Sequence, residues 1–323
     1  MLRFILMRLV KAAIILIAIL TLNFFLIHAA PGDPAAVLAG EAGAADAQFI
    51  EQLRERFGLD KPLLTQLGIY LGGVLQLDLG YSYRQQMPVA DLIFARLPAT
   101  LLLTLTAFVI ALVLGTLAGV LASARVGKWS DTVISTLALL FYATPLFWVA
   151  LMAVLVFSVF LNWLPGFGYE TVGANHTGFR RALDIAQHLI LPATTLGLFF
   201  MAVYMRMTRA SMLEVSRLDF VKTARAKGLK PGIIQRRHIF RNAMLPVVTL
   251  AGLQAGQLVG GAVLTETVFA WPGIGRLMFE ALAQRDYNLL LGIFFVSAAM
   301  VLLFNLITDI LYRVVDPRIR VAS

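Results

Sequence analysis

The residues whose types and spacing promise a specific interaction lie in a basic, amphipathic segment between residues 219 and 246. Asp219 is a suitable N-cap for a helix, Gly228 suits the left-handed conformation that ends one, and Pro231 prevents its continuation. These residues predict a short helix of roughly eight residues, which is too short to be stable alone in water. We therefore expect a partner to hold the helix, through apolar contact and charge.

The predicted helix has two kinds of face. On a helical wheel Phe220, Val221 and Ala224 share one side, whereas Lys222 and Arg225 point elsewhere. We expect the apolar side to be buried in the partner, with the basic groups at the rim of the contact. The docking segment predicted from this pattern comprises Asp219, Phe220, Val221, Lys222, Thr223, Ala224, Arg225, Ala226, Lys227 and Gly228.

The known catalytic motifs are missing from the sequence. It has no Gly-x-x-x-x-Gly-Lys-Ser/Thr phosphate loop, no His-Glu-x-x-His, no Gly-x-Ser-x-Gly and no cysteine. We therefore expect that the chain does not hydrolyse ATP and has no metal or cofactor of its own. An intramembrane enzyme is the alternative of another class, and a stand-alone channel or secondary transporter is a further one. Neither accounts for a capped basic helix.

Three polar residues stand in or beside apolar runs. Glu266 lies six residues before Pro272, and an ionisable group at such a depth is a candidate for a transport pathway or a gate. The alternative is a structural hydrogen bond that pins the turn at residues 271–275. Gln254 and Gln257 lie within an apolar run, where polar side chains require an internal or water-filled surface. We predict that they line the pathway.

The composition indicates a membrane protein. Hydrophobic residues make up 59% of the 323 residues and charged residues only 14%, unlike a soluble domain. Six stretches without Asp, Glu, Lys or Arg are each long enough to cross a bilayer, and the third is so long that we expect a kink at Pro145 and an exit at residues 162–165. The stretches are 12–32, 97–124, 132–169, 185–205, 242–265 and 287–308.

The distribution of charge predicts the topology. Of the 27 basic residues, 18 lie at the two termini, in the second connection and in the fourth connection, which all fall on one side of a six-span chain. By the positive-inside rule both termini are cytoplasmic. The net charge of +9 is therefore a topological feature, and we expect no nucleic-acid partner, because the basic residues are divided among separate loops.

Two further patterns concern packing. Gly115 and Gly119 have the Gly-x-x-x-Gly spacing that allows close helix approach, and Gly256 and Gly260 repeat it. In residues 33–96, the segment that this topology places outside the cell, we expect two amphipathic helices. The first covers residues 46–57, and the second begins after Pro62 with a stripe of Leu64, Leu67, Leu71 and Leu75. They either lie at the membrane interface and pack on the helix bundle, or they form a lid over the outer mouth of the pathway or a docking surface for a substrate-delivery protein.

The docking segment resembles the coupling loop of ABC-transporter permeases. That loop has the pattern Glu-Ala-Ala, three residues, Gly and a later Leu-Pro. Lys222, Thr223, Ala224 and Gly228 occupy its positions, with Lys and Thr in place of Glu and the first Ala, and the pair Leu245-Pro246 closes it. The Thr-Ala-Arg-Ala-Lys-Gly version is similar to that of the dipeptide, oligopeptide and nickel permease family. The Pro-Gly-Asp-Pro run is similar to the "B" member of that family's permease pair. That run occupies residues 31–34, and further similar stretches are 206–215, 264–277, 285–287 and 316–320.

The resemblance implies an all-α membrane protein with six transmembrane helices and the type I importer permease fold, located in a bacterial inner membrane. It implies one homologous second permease, two ATPase subunits that bind ATP and Mg²⁺, and an external solute-binding protein. The implied substrates are di- or oligopeptides. Nickel or metal–chelator complexes, glutathione and other small solutes remain alternatives.

The expected organisation has four parts. An N-terminal tail and first span are followed by an external loop, a five-helix core that contains the coupling loop, and a cytoplasmic tail. The boundaries are 1–30, 31–96, 97–316 and 317–323, with core helices 97–124, 132–161, 185–208, 244–268 and 287–312 and a coupling loop at 209–243.

Overall fold

The chain is described from a computed structural model. Apart from one two-stranded hairpin, the regular elements of the described residues are helical, in agreement with the membrane fold that the resemblance implies. The structure describes residues 2–29, 48, 50–51, 54, 60–82, 84–257 and 262–315. In chain order the elements are α1 (Leu2–Ala29), α2 (Leu63–Leu75), β1 (Tyr81–Ser82), β2 (Met87–Pro88), α3 (Val89–Ala124), α4 (Trp129–Ala143), α5 (Leu146–Ala153), α6 (Gly178–Ser216), α7 (Asp219–Ala226), α8 (Pro231–Ile233), α9 (Arg241–Gln257), α10 (Val263–Val268), α11 (Ile274–Ala283) and α12 (Tyr287–Val315), with π-helical stretches at Val154–Phe160 and Ile234–Phe240.

Four helices within the described ranges, α1, α3, α6 and α12, are long and apolar enough to cross a membrane. A fifth span results if α4 and the helix Leu146–Phe160 are counted together, although the two are bent by 102°. The bend lies at Thr144 and Pro145, which confirms the predicted kink, since proline cannot donate the backbone hydrogen bond that a continuous helix needs. The helix ends at Phe160, just before the predicted exit at residues 162–165.

The predicted span at 242–265 falls on two helices, α9 and α10. Residues 258–261 between them lie outside the described residues. The number of six spans therefore stays a prediction. The following helix α11 was not predicted, because its run of residues 274–283 is short and mixes charged with apolar side chains.

The main packing contact of the bundle joins α3 and α6. At Gly115 an added Cβ atom would lie 2.6 Å from the Cβ atom of Tyr204, and at Gly119 it would lie 2.6 Å from that of Thr208. Only glycine allows so close an approach, so the close-packing prediction for this pair is confirmed. In the second pair, Gly260 lies outside the described residues, and the surroundings of Gly256 are not described.

The segment before α3 differs from the prediction. The helix begins at Val89, eight residues before the predicted position 97, and the hairpin of β1 and β2 precedes it. The hydroxyl of Ser82 in β1 donates a hydrogen bond to the carboxylate of Asp286, and the side-chain amide of Asn288 donates to the carbonyl of Tyr81 over 3.1 Å. The hairpin is thus fastened to the beginning of α12.

The second amphipathic helix exists as α2, directly after Pro62, but its stripe was wrong in part. Its inward side is formed by Leu67, Tyr70 and Val74, which pack on or beside the core, whereas Leu64 and Leu75 are exposed. The hydroxyl of Tyr70 donates to the carbonyl of Leu291 over 3.3 Å, so the aromatic residue orients the helix. Most of the predicted helix at 46–57 lies outside the described residues.

Candidate functional site

The short helix of the docking segment is α7, Asp219–Ala226, with the eight residues expected. The predicted N-cap was wrong: Leu218 occupies that position with an extended backbone, and Asp219 is the first helical residue. The carboxylate of Asp219 instead accepts a hydrogen bond from Nζ of Lys222 over 2.8 Å. An acidic side chain in the first turn still interacts favourably with the helix dipole.

The predicted end of the helix is confirmed. Gly228 has φ +74°, the left-handed conformation expected there. The N–H of Gly228 donates to the carbonyl of Arg225 over 2.9 Å, and the N–H of Leu229 donates to that of Ala224 over 3.3 Å. This pair of bonds is the Schellman motif, which satisfies carbonyls left open by the last turn. Pro231 then begins the next helix, α8, as its first residue.

The surface on which α7 packs, here called its seat, belongs to the chain itself, whereas a partner was expected to cover the apolar face. Val221 is 0% exposed and Ala224 is also buried, but they pack on the chain itself. Phe220, expected on the same buried side, is 41% exposed. The helix is therefore held by its own chain, and the side that stays exposed is not the predicted apolar face. The buried cluster consists of Met212, Val221, Ala224, Ile234, Ile239 and Ala243.

This cluster connects three elements. Met212 belongs to the last part of α6, Ile234 and Ile239 belong to the π-helical stretch, and Ala243 belongs to the first turn of α9. The other eight residues of the docking segment are exposed and cover the outer side of α7 and its C-terminal turn: Asp219, Phe220, Lys222, Thr223, Arg225, Ala226, Lys227 and Gly228.

Glu266, the candidate pathway residue, lies in α10 and is 0% exposed. The hydroxyl of Thr100 in α3 donates to its Oε1 over 2.9 Å, and the N–H of Arg276 donates to its Oε2 over 2.9 Å. The N–H of Gly275 also donates to the carboxylate. A carboxylate that accepts backbone N–H groups at the beginning of α11 satisfies donors that have no partner within that helix.

The turn around Glu266 is closed from the other side as well. Thr100 accepts a hydrogen bond from the N–H of Ile274 over 2.7 Å, and Nε1 of the buried Trp271 donates to the carbonyl of Ala99 over 2.8 Å. At Gly275 an added Cβ atom would lie 2.9 Å from Oε2 of Glu266, so the carboxylate fills the space beside the turn. These contacts favour the structural alternative for Glu266.

A cavity of about 330 Å³ lies between α3, α5, α6, α9 and α10. Gln254, predicted to line the pathway, is among its lining residues, whereas Glu266 is not. The side chain of Gln257 lies outside the described residues. The lining is mostly apolar, as in many small-molecule sites, and its described residues are Thr104, Phe108, Ala111, Leu146, Leu196, Phe200, Tyr204, Gln254, Ala262, Val263 and Leu264.

Sequence reasoning missed one ion pair near the docking segment. Nε and Nη2 of Arg209 each donate to one carboxylate oxygen of Asp131 over 2.8 Å, and the N–H of Gly127 donates to the same carboxylate over 3.1 Å. The pair joins the beginning of α4 to α6. Asp131 is the one charged residue of α4, but α6 carries several basic side chains, and 78 residues separate the two partners. Within the described ranges no group of three metal-binding side chains occurs.

Comparison with known proteins places the chain in a family. Residues 111–321 match the family described as binding-protein-dependent transport system inner membrane component, and residues 1–104 match the N-terminal part of such components. The chain is 42% identical over 337 residues to the dipeptide transport system permease protein DppB of Escherichia coli (strain K12), with 99% of each chain covered. It is 41% identical over 320 residues to the glutathione transport system permease protein GsiC of Escherichia coli O6:H1, again with 99% of each covered.

The fold agrees with this assignment. The crystal structure of an amino acid ABC transporter superposes with a TM-score of 0.50 at 17% identity, covering 69% of this chain and 94% of that one. The helical arrangement is therefore that of an ABC permease. The chain belongs to the family of binding-protein-dependent transport system inner membrane components.

Proposed function

We propose that the chain is the permease subunit of an ATP-driven importer in a bacterial inner membrane and that it forms half of a pathway for di- or oligopeptides. The proposal is supported by full-length similarity to dipeptide permeases at 39% to 42% identity. A second homologous permease completes the pathway, two ATPase subunits bind ATP and Mg²⁺, and an external solute-binding protein delivers the substrate.

The observation that carries the coupling role is the divided surface of α7. Val221 and Ala224 fasten the helix to its own chain, and Phe220 projects from it beside the exposed basic groups. An ATPase subunit would receive this exposed side. An exposed aromatic residue with basic neighbours suits a partner site that has an apolar centre and an acidic rim.

The same buried cluster can carry a movement of α7 to two helices of the bundle. A displacement of α7 acts through Met212 on α6 and through Ala243 on α9, because all these residues share one buried cluster. Those two helices also supply Tyr204 and Gln254 to the cavity of about 330 Å³. ATP-driven closure of the ATPase subunits would therefore change the spacing of the helices that enclose the cavity. In this proposal the polar groups of Thr104, Tyr204 and Gln254 contact the substrate.

The topology is proposed from charge. Six spans, with the second half of the bent pair completing the third and α9 with α10 forming the fifth, place both termini and the exposed side of α7 in the cytoplasm. Reporter fusions after Ser323 and within residues 40–90 should report opposite sides of the membrane. Equal locations would contradict the six-span arrangement.

The transport function is tested with the chain, its partner permease, the ATPase subunits and the binding protein reconstituted in vesicles. We expect ATP-dependent uptake of a labelled dipeptide and co-purification of the ATPase subunits with the chain. Uptake of glutathione without dipeptide would replace the substrate class and leave the importer role intact. That second candidate has support, because a glutathione permease is 41% identical. Absence of ATPase co-purification would contradict the importer role itself.

A further inference from the structure

An open basic groove lies next to α7 on the same side of the bundle. It has a volume of about 760 Å³. The groove follows the connection between α7 and α9, and its polar lining consists of basic side chains. The lining residues are Lys230, Gly232, Ile233, Arg236, Arg237 and Arg241.

The groove presents four basic side chains, Lys230, Arg236, Arg237 and Arg241. In the described parts of the chain, none of them hydrogen-bonds or pairs with a carboxylate, and all are exposed. Some other basic side chains of the chain have carboxylate partners, for example Arg209 with Asp131, Arg276 with Glu280 and Arg181 with Glu170. Four converging positive charges without a neutralising acid form a site for an anion.

Local helix geometry brings these charges together. In the π-helical stretch Ile234–Phe240 the turn is wider than in an α-helix, and such stretches are frequent at functional sites. Ile234 and Ile239 face the buried cluster under α7, while Arg236 and Arg237 remain exposed. The positive-inside rule requires basic residues on this side of the membrane, but it does not require them to line one groove.

The groove continues into an apolar strip. Arg241 is the first residue of α9, and Leu245 and Val248 follow four and seven residues later on the same helix face. Both side chains are nearly half exposed. Basic groups at the end of an apolar helix, followed by exposed aliphatic side chains, match a molecule with an anionic head and a hydrocarbon tail. A free phosphate would use only the groove.

We propose that this groove binds the phosphate of an anionic phospholipid of the cytoplasmic leaflet, with one acyl chain along Leu245 and Val248. The groove wall and the seat of α7 share the π-helical stretch, so a bound lipid would also stabilise the position of α7. The proposal rests on the cytoplasmic location of this side but is independent of the transported substrate.

The test uses the purified full-length chain, delipidated in detergent, and native mass spectrometry with phosphatidylglycerol or phosphatidylcholine. We expect retention of phosphatidylglycerol and a loss of roughly a hundredfold in its affinity for the triple variant Arg236→Gln, Arg237→Gln, Arg241→Gln. The triple variant with lysine at the same positions should retain binding, which separates charge from misfolding. The matched control Arg125→Gln, Lys128→Gln removes charge from another connection and should change nothing.

Further arms identify the source of the anion. Inorganic phosphate at millimolar concentration should displace little of the bound phosphatidylglycerol, and Leu245→Asn should weaken retention of the lipid. Three results would overturn the proposal: equal retention of both lipids, unchanged retention in the glutamine variant, or full displacement by inorganic phosphate. Unchanged lipid retention in the glutamine variant, together with loss of the ATPase subunits that co-purify with the chain from membranes, would assign the groove to that protein partner instead.

Discussion

Glu266 and the helix α7 are the two candidate functional regions of the sequence, and the folded chain buries them in different ways. The carboxylate of Glu266 is 0% exposed and accepts hydrogen bonds from Thr100 and Arg276 of its own chain. The helix α7 is buried along one side only and presents the other. A charged group whose hydrogen bonds are closed internally stabilises the fold, whereas a helix that is fixed along one side can transmit force to what it is fixed to. The contrast separates a structural tie from an exposed surface, which we propose as the docking surface.

The largest expected effect is at the structural tie. Glu266→Ala leaves the hydroxyl of Thr100 and the N–H groups of Gly275 and Arg276 without their acceptor in a buried place. Each unsatisfied group costs about 1–3 kcal/mol, so we expect a loss of at least about 3 kcal/mol in stability. The variant should accumulate poorly in the membrane, which immunoblotting of membrane fractions measures.

Glu266→Gln sharpens the distinction, because the amide has nearly the shape of the carboxylate but offers one acceptor oxygen and one donor group. We expect a smaller loss of assembly than for Glu266→Ala, because the amide oxygen can accept from the N–H of Arg276, whereas an NH2 group in the place of Oε1 leaves the hydroxyl of Thr100 without its acceptor. A Glu266→Gln variant that assembles at the normal level but transports slowly would favour the pathway role and remove half of the comparison.

A smaller effect is expected from Thr100→Val. The substitution keeps the shape of the side chain but removes the hydrogen bond to Glu266 and the acceptor for the N–H of Ile274. We expect a decrease in the free energy of unfolding of about 2 kcal/mol, visible as a lower midpoint of thermal unfolding in detergent. The control Thr194→Val loses hydrogen bonds within its own helix only, and it should shift the midpoint much less.

At α7 the seat and the exposed side should respond differently. Val221→Ala removes two methyl groups from the buried cluster, at a cost of about 1–2 kcal/mol to the attachment of the helix. The rest of the bundle should remain intact. Hydrogen exchange should therefore increase in residues 219–229 and stay unchanged in α3. An equal increase in hydrogen exchange in residues 219–229 and in α3 would mean that the buried cluster under α7 does not hold the helix.

The smallest effect on stability is expected from Phe220→Ala, because this side chain is exposed and is not a member of the buried cluster under α7. The unfolding midpoint should stay within the range of neutral surface substitutions, about 0.5 kcal/mol. Attachment of the ATPase subunits should nevertheless weaken, measured as the amount that co-purifies. Leu64→Ala, an exposed leucine of α2, is a matched control and should leave attachment unchanged.

Local features of the fold were predictable from the sequence. The eight-residue α7, the left-handed Gly228, the bend at Pro145 and the close contact at Gly115 and Gly119 were all predicted. Each depends on a backbone or steric property of the residue itself, such as the missing Cβ atom of glycine or the missing N–H of proline. Such properties act wherever the residue stands in the chain.

Long-range features were not predictable in the same way. The partners Thr100 and Glu266 are 166 residues apart, and no local pattern connects them. The orientation of α7 was wrong for the same reason: a helical wheel shows that Val221 and Ala224 share a side, but not whether that side meets a partner or the chain's own Ile234 and Ile239.

The central claim is that the position of α7 couples ATP hydrolysis to transport, and Gly228→Val tests it most directly. A β-branched residue resists the left-handed conformation at a cost of about 1–2 kcal/mol, so the exposed side of α7 should turn away from its partner. Gly127→Val is a matched control, since Gly127 has the same φ of +74° and equally open surroundings but lies between α3 and α4.

The measurement compares substrate-stimulated ATPase activity and uptake in reconstituted vesicles for the wild type, Gly228→Val and Gly127→Val. The account predicts that all three reach the membrane and that only Gly228→Val loses the link between hydrolysis and uptake. Unchanged uptake and stimulation in Gly228→Val, or an equal loss in Gly127→Val, would contradict it.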